Sequence, residues 1–283
     1  MPLIFYLNWY NIYEMKEAKS LKKIISFLGV MLILLLVLTG CDEKESKENT
    51  TSNKVSNKAT NMSNTTKKSE KEETKVNVNY AEAAEKQMAA PVSGETIATF
   101  YIKNYGEVKV KFFKEVAPKA VENFVTHAKD GYYNGVTFHR VINEFMIQGG
   151  DPEGTGMGGE SIWKKDFEEE LSPELVPYRG SLCMASRGLQ NSPSLGSQFF
   201  ITQRNYSEQM VSYMKAQGHS EELIEQYKKY GGDILSLYQQ YTVFGQVYEG
   251  MEVVDKIAGV QTDNSDKPTE DVVIEKIEIS TVE

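Results

Sequence analysis

The chain has 283 residues, and its 31 basic and 40 acidic side chains give a net charge of −9 at pH 7. This acidic balance argues against a nucleic-acid partner, because such sites need a basic stripe. The two cysteines, Cys41 and Cys183, do not make a disulfide framework, and the three histidines lack metal-ligand spacing. We therefore expect no metal and no cofactor. The hydrophobic share of 40% is enough for one or two domains with a sizeable core.

Residues 1–40 have the pattern of an export signal. Four lysines between positions 16 and 23 precede an apolar run of 15 residues, 24–38. That run is short for a bilayer span of about 20 residues and is typical of a signal peptide. Residues 1–14 fit this pattern poorly, so Met15 is an alternative start.

The signal ends in Leu38-Thr39-Gly40-Cys41, which resembles the lipobox of bacterial lipoproteins. The resemblance implies cleavage before Cys41 and lipidation of its thiol, with acyl chains such as palmitate that anchor the protein in the membrane. The alternative is an uncleaved single-span anchor. Both interpretations place the rest of the chain on the extracytoplasmic face of the cell membrane.

Residues 41–90 are rich in Lys, Glu, Ser, Thr and Asn, and Tyr80 is the single aromatic residue among them. Such a segment cannot bury enough apolar surface to offset its conformational entropy, so we predict a disordered tether. The stretch Tyr80–Met88 has the composition of a frayed helix. A spacer that holds residues 91–283 off the membrane is a better interpretation than a binding segment.

Short β-rich runs dominate residues 91–283, with two helices among them. The first helix is predicted over 117–133, with Pro118 in its first turn and Gly131 as its C-cap. Residues 250–258 predict the second, with Val253, Val254 and Ile257 facing inward. Many short strands with few helices are typical of a barrel or sandwich. The predicted strands span 96–103, 107–113, 136–142, 145–148, 180–185, 198–202, 242–247 and 272–279.

The strands 136–142 and 145–148 are joined by a turn at Asn143-Glu144 and carry an unusual mixture of residues. Strand alternation predicts that Phe138, Arg140 and Ile142 share one face. An arginine amid apolar neighbours needs a partner or solvent. On this segment alone, an edge strand with a solvated arginine explains the pattern as well as a functional site does.

Four motifs in order carry a resemblance to a known family: FHRVINEFMIQGGD (138–151), MAS (184–186), GSQFFITQ (196–203) and YTVFGQVYEGM (241–251). Over about residues 93–280 the chain resembles the cyclophilins, the cyclophilin-type peptidyl-prolyl cis-trans isomerases. The resemblance implies an eight-stranded antiparallel closed barrel capped by two helices. It also implies rotation of X-Pro bonds in proline-containing exported polypeptides, without a cofactor and by a monomer. The alternative is a non-catalytic chaperone or peptide-binding module that uses the same groove.

The resemblance also assigns a role to individual residues. It makes Arg140 the donor to the prolyl nitrogen and Gln148 the residue that orients this arginine. Core packing is the alternative for the aromatic pocket residues, whereas Phe138, Ile142, Phe199 and Phe244 are assigned to the core. The implied pocket for the proline ring consists of Phe145, Met146, Phe200 and Leu237. The implied groove adds Ala185 and Ser186 on its backbone-binding strand, Gln198 on its floor, and Tyr241.

Two positions depart from the family pattern. Ser236 and Tyr241 stand where many eukaryotic members place a tryptophan and a histidine. This departure bears on cyclosporin binding rather than on isomerisation.

An insertion at about 204–238 interrupts the resemblance. It predicts two short helices broken at Gly218-His219, with Ser220 as N-cap of the second. Its place in the sequence, between Phe200 and Leu237, predicts a position at the rim of the groove, and a tolerated surface insertion is an equal alternative. The acids Asp263, Asp266 and Asp271 do not match an EF-hand, so we expect a solvated loop.

Overall fold

The computed structural model describes residues 78–188 and 192–283. The predicted export signal, the predicted lipidation site Cys41 and the predicted tether up to residue 77 lie outside the described residues. Within the described ranges, no helix is both long and apolar enough to cross a membrane.

Eight antiparallel strands form one curled sheet around the main core. Their order across the sheet is β3-β4-β6-β5-β7-β2-β1-β8. The strands are β1 (Thr96–Ile102), β2 (Gly106–Phe112), β3 (Arg140–Ile142), β4 (Met146–Gly149), β5 (Ser181–Ser186), β6 (Leu195–Thr202), β7 (Val243–Glu249) and β8 (Ile274–Thr281). The mainly β prediction is therefore confirmed, and each strand matches a predicted run.

The predicted closure of the barrel is not confirmed. The sheet is a curled half-barrel, because β3 and β8 are the two edges of the hydrogen-bonded order. The chain beside these edges meets at a single isolated bridge between Thr137 and Val273, where the Phe138 N–H donates to the Val272 carbonyl at 2.9 Å.

The predicted strand 136–142 starts too early. Residues 138 and 139 lie outside any strand, so the alternation that was predicted to place Phe138 with Arg140 is broken. Phe138 and Val141 are both buried in the main core, whereas Arg140 is half-buried. The irregular backbone before β3 thus directs Arg140 away from the core.

Two helices cover the sheet, as predicted. The first, α2 (Pro118–Lys129), has Pro118 in its first turn, and the Glu170 carboxylate accepts hydrogen bonds from two backbone N–H groups there. Its Phe124 ring lies 5.4 Å from Phe199 and 5.5 Å from Phe244, at the centre of the core. Such aromatic clusters bury large apolar areas and fix ring geometry.

The other covering helix, α6 (Met251–Ala258), buries Val253, Val254 and Ile257. These are the three residues predicted to face inward. The spacing of apolar residues at i, i+1 and i+4 places them on one side of a helix, which explains why this prediction succeeded.

The prediction of a disordered tether is wrong for the last part of its range. Residues Tyr80–Met88 form a helix, α1, which Asn79 caps by accepting from the Glu82 N–H at 3.1 Å. Ala84 and Gln87 of α1 are buried against the folded domain. Composition missed this packing because the fully buried side chains are a small residue and an amide, while Tyr80 and Met88 are only partly buried against the neighbouring apolar cluster.

Gln87 explains why α1 is fixed in place. Its amide Nε2 donates to the Val176 carbonyl at 2.7 Å, to Ser181 Oγ at 3.1 Å and to Gln246 Oε1 at 3.2 Å. Its Oε1 accepts from the Val176 N–H at 3.1 Å. Burying an amide is favourable only when its hydrogen bonds are made, and here they are.

The insertion contains the predicted helices, α3 (Glu208–Ala216) and α4 (Glu221–Tyr230), followed by the short α5 (Ile234–Leu237). Ser220 caps α4 by accepting from the Leu223 N–H at 3.2 Å. The insertion helices and α1 pack together around a second apolar cluster. Its buried members are Ala84, Val176, Tyr178, Val211, Met214, Leu223, Ile224, Tyr227 and Ile234.

Candidate active site

The strand register brings the central predicted residues into one line across the sheet. Arg140 of β3 lies opposite Gln148 of β4, which lies opposite Phe200 of β6. Phe200 in turn lies opposite Cys183 of β5. Residues directly opposite each other in an antiparallel ladder project to the same face, so these side chains share one surface.

Arg140 has a charged partner that the sequence did not reveal. Its Nε donates to Asp266 Oδ2 at 3.4 Å, and the two side chains are 42% and 45% exposed. The Val141 N–H donates to the Asp266 carbonyl at 2.8 Å, which fixes the acidic loop beside β3. Asp266 was predicted to lie in a solvated loop; its side chain is 45% exposed, and it also pairs with Arg140.

Gln148 contacts the groove floor rather than the arginine. Its Nε2 donates to Gln198 Oε1 at 2.9 Å. Gln198 then donates to the carbonyls of Gly156 and Gly158 at 3.0 and 2.8 Å. The two glutamines thus connect the sheet to the glycine-rich loop, which explains the groove-floor position predicted for Gln198.

The glycine-rich loop is organised by Asp151, which is fully buried. Its carboxylate accepts from the N–H groups of Thr155 at 3.0 Å and Gly156 at 2.7 Å, among others. Burial acts to raise the pKa of Asp151, but these hydrogen bonds together outweigh it, so the net pKa lies below the usual value. A side chain at Gly158 would place its Cβ 2.5 Å from Asp151 Oδ1, which explains the glycine there.

The predicted apolar pocket residues are brought together in one cluster. Met146, Phe200 and Leu237 are buried in it, and Phe145 and Tyr241 are partly buried at its edge. The Tyr241 ring lies edge-on to Phe200 at 5.5 Å. Sequence reasoning missed the other residues packed in this cluster: Phe113, Val116, Leu175 and Val243.

Two residues next to the pocket were given other roles from the sequence: Ile142 was assigned to the core, and Cys183 was predicted to be an unreactive buried residue. Ile142 packs against the pocket cluster, so its assignment to the core is wrong. The Cys183 thiol is fully buried, and burial raises its pKa strongly. It is therefore a small apolar residue beneath Phe200, as predicted.

A cavity of about 230 Å³ lies beside the pocket, and the remaining predicted site residues line it. Gln148, Ala185, Ser186 and Gln198 line one part of it. The glycine-rich loop from Gly156 to Gly159 lines another, together with Arg187, Ser194 and Gly196, which the sequence analysis did not single out.

The ends of the insertion reach the pocket, while its helices pack on α1. Arg204 lies over the Phe145 ring at 5.8 Å and pairs with the buried Asp233 at 2.9 Å. Asn205 donates to Glu144 in the turn before Phe145 at 3.0 Å, and Leu237 at the other end lies in the pocket. The predicted rim position therefore holds for these ends.

Comparison with known proteins identifies the family. The family model described as cyclophilin type peptidyl-prolyl cis-trans isomerase/CLD matches residues 97–279. A relative from Staphylococcus saprophyticus, assigned as a peptidyl-prolyl cis-trans isomerase, is 47% identical over 194 residues, which cover 68% of this chain and 96% of that protein. A Staphylococcus aureus relative with the same assignment is 48% identical over 177 residues, 62% of this chain and 88% of its own.

Solved structures lead to the same family. A cyclophilin type peptidyl-prolyl cis-trans isomerase from Cryptosporidium parvum aligns with a TM-score of 0.54 and 34% identity, over 67% of this chain and 99% of that one. A second structure of the same protein, in the presence of the dipeptide Ala-Pro, aligns with a TM-score of 0.53 over 65% of this chain and 99% of its own. The chain therefore belongs to the cyclophilin-type peptidyl-prolyl cis-trans isomerases.

Proposed function

We propose that this isomerase accelerates rotation about X-Pro bonds in exported polypeptides, with Arg140 as its catalytic residue. The single observation that carries this proposal is the line of Arg140, Gln148 and Phe200 across three strands, with the apolar pocket beside it. A half-exposed guanidinium next to an apolar pocket can meet the proline amide while the ring is buried.

The chemistry needs no nucleophile and no general base, because no covalent bond breaks. The spontaneous barrier is about 18–20 kcal/mol and comes from amide resonance. In the twisted state the prolyl nitrogen regains its lone pair and accepts a hydrogen bond. A donor aimed at this nitrogen therefore stabilises the transition state selectively, and the arginine fork is always charged and carries several N–H donors.

The groove provides the binding surface for the substrate chain. In our proposal, Phe145, Met146, Phe200 and Leu237 hold the proline ring, and Tyr241 forms the wall behind Phe200. Ala185 and Ser186 meet the backbone before the proline, beside the cavity. Gln148 and Gln198 provide amide groups at the floor.

The test is cis-to-trans conversion of an X-Pro tetrapeptide by the full chain, purified in detergent. We expect a rate far above the spontaneous one, which takes tens to hundreds of seconds. The Ala-Pro dipeptide, present with the similar Cryptosporidium structure, is a suitable competing ligand. No acceleration by folded protein that still binds the peptide would favour the peptide-binding module instead.

We further propose that Cys41 anchors the enzyme to the outer face of the cell membrane, where it assists the folding of exported proteins. Support comes from the apolar run that ends in Leu-Thr-Gly-Cys. Substitution of Cys41 by serine should abolish palmitate labelling and move the protein from the membrane fraction, because stable anchoring needs two acyl chains. Cys183→Ser is the matched control and should keep both. Unchanged labelling of the Cys41→Ser protein would contradict the proposal.

A further inference from the structure

A half-buried carboxylate lies behind the groove, at a position that the site described above does not use. Glu169 Oε2 accepts hydrogen bonds from the Thr242 N–H at 3.2 Å and from Thr242 Oγ1 at 3.0 Å. Placing a carboxylate in a half-buried position costs free energy unless hydrogen bonds compensate for lost water. Two donors of Thr242 bind this carboxylate, and the hydroxyls of Ser186 and Ser194 lie near it.

The first pair of donors ties Glu169 to one wall of the groove. Thr242 follows Tyr241, whose ring lies 5.5 Å from Phe200. The Thr242 carbonyl accepts from the Met184 N–H at 3.0 Å, so the same residue also holds β5. Glu169 therefore holds both the amide and the hydroxyl of Thr242, the residue that follows Tyr241.

The second pair of donors lies on the strands next to Thr242, with Ser186 in β5 and Ser194 directly before β6. The hydroxyls of Ser186 and Ser194 lie 2.7 Å apart, and both line the cavity. Burial raises the pKa of Glu169, while hydrogen bonding from Thr242, Ser186 and Ser194 lowers it in part, so the net pKa is raised. The two serine hydroxyls thus bond to each other beside the carboxylate.

We infer that Glu169 is a positioning residue for substrate binding, which holds the Ser186 end of β5 against the Tyr241–Thr242 segment that leads into β7. This inference rests on the proposed function of the groove. Glu169 does not touch the reacting amide. Its loss should weaken peptide binding and leave the rate of the bound peptide, which depends on Arg140, nearly unchanged.

The test is exchange NMR on the full chain in detergent with an X-Pro tetrapeptide, which gives the dissociation constant and the exchange rate at saturation separately. For Glu169→Gln we expect Kd to rise about 3- to 10-fold, since a hydrogen-bond network to a charged group is lost. The exchange rate at saturation should stay within about twofold. Glu169→Asp, which keeps the charge, should recover part of the affinity, and the neighbouring exposed Glu168→Gln should match the wild type.

A double-mutant cycle distinguishes positioning from a merely structural role. If Glu169 acts through Ser186, Ser186→Ala should weaken binding less in the Glu169→Gln background than in the wild type. An unchanged Kd in Glu169→Gln, or a lower melting temperature with unchanged binding, would overturn the inference. A wild-type protein that binds the peptide without exchanging it would refute the proposed enzyme, while the Kd comparison would still decide the role of Glu169.

Discussion

Replacing Arg140 with alanine is expected to lower kcat/KM toward an X-Pro tetrapeptide by about 100- to 1,000-fold, the range for removing one preorganised transition-state donor. Arg140 is 42% exposed and borders the solvent-facing groove, so its loss leaves no buried orphan and the fold should persist. The measurement is peptide isomerisation by the full chain, with the melting temperature of both proteins alongside.

Two further variants test whether Arg140 acts through the planar geometry of its guanidinium, through its charge or through its ion pair. Arg140→Lys keeps the charge but loses the planar fork, so it should recover little of the lost rate. Asp266→Asn removes a half-exposed ion pair, which typically contributes about 0–1 kcal/mol, so stability should change little. An Arg140→Ala protein with wild-type kcat/KM would refute the proposed mechanism.

Replacing Gln87 with alanine is expected to lower the free energy of unfolding by about 2–3 kcal/mol, although the residue lies outside the matched family region. The variant removes four hydrogen bonds and leaves the buried Val176 N–H without the acceptor it has in the native protein. An unsatisfied buried donor costs the full desolvation penalty. Urea denaturation of the full chain measures the change.

The matched control lies on the opposite side of the same helix. Glu85 is exposed, so Glu85→Ala should change stability by no more than about 0.5 kcal/mol. Both substitutions introduce alanine, the strongest helix former, so helix propensity does not favour either wild-type residue. Equal effects of the two variants would therefore show that the bonds of Gln87 make no specific contribution. A Gln87→Ala protein as stable as the wild type would mean that α1 is not held by these bonds in solution.

Local sequence patterns predicted those features of the fold that depend on residues close together in the sequence. The inward residues of α6 follow from apolar spacing, and the Ser220 cap follows from a serine before two glutamates. Asp266 and Gln87 could not be found in this way. Asp266 bonds to Arg140, which is 126 positions away, and Gln87 bonds to Val176, which is 89 positions away. The sequence around each residue carries no pattern that indicates its partner.

The candidate pocket shows a different limit of sequence reasoning. Phe145, Met146, Phe200 and Leu237 were grouped through a family motif, and the structure places them in one cluster. Phe138 was placed on the face of Arg140 because the strand was expected to run unbroken from 136, whereas residues 138 and 139 lie outside any strand. Register decides which side chains share a face, and one irregular segment changes the assignment.

The docking of α1 also constrains how the protein acquires its fold. Gln87 bonds to Gln246, 159 positions later, so α1 cannot complete its packing until almost the whole domain has emerged. Closing such a loop costs conformational entropy before any native contact offsets it, which slows folding. Helix α1 is synthesised first among the described residues, yet it is among the last elements to pack. Until it packs, the second apolar cluster remains open to solvent.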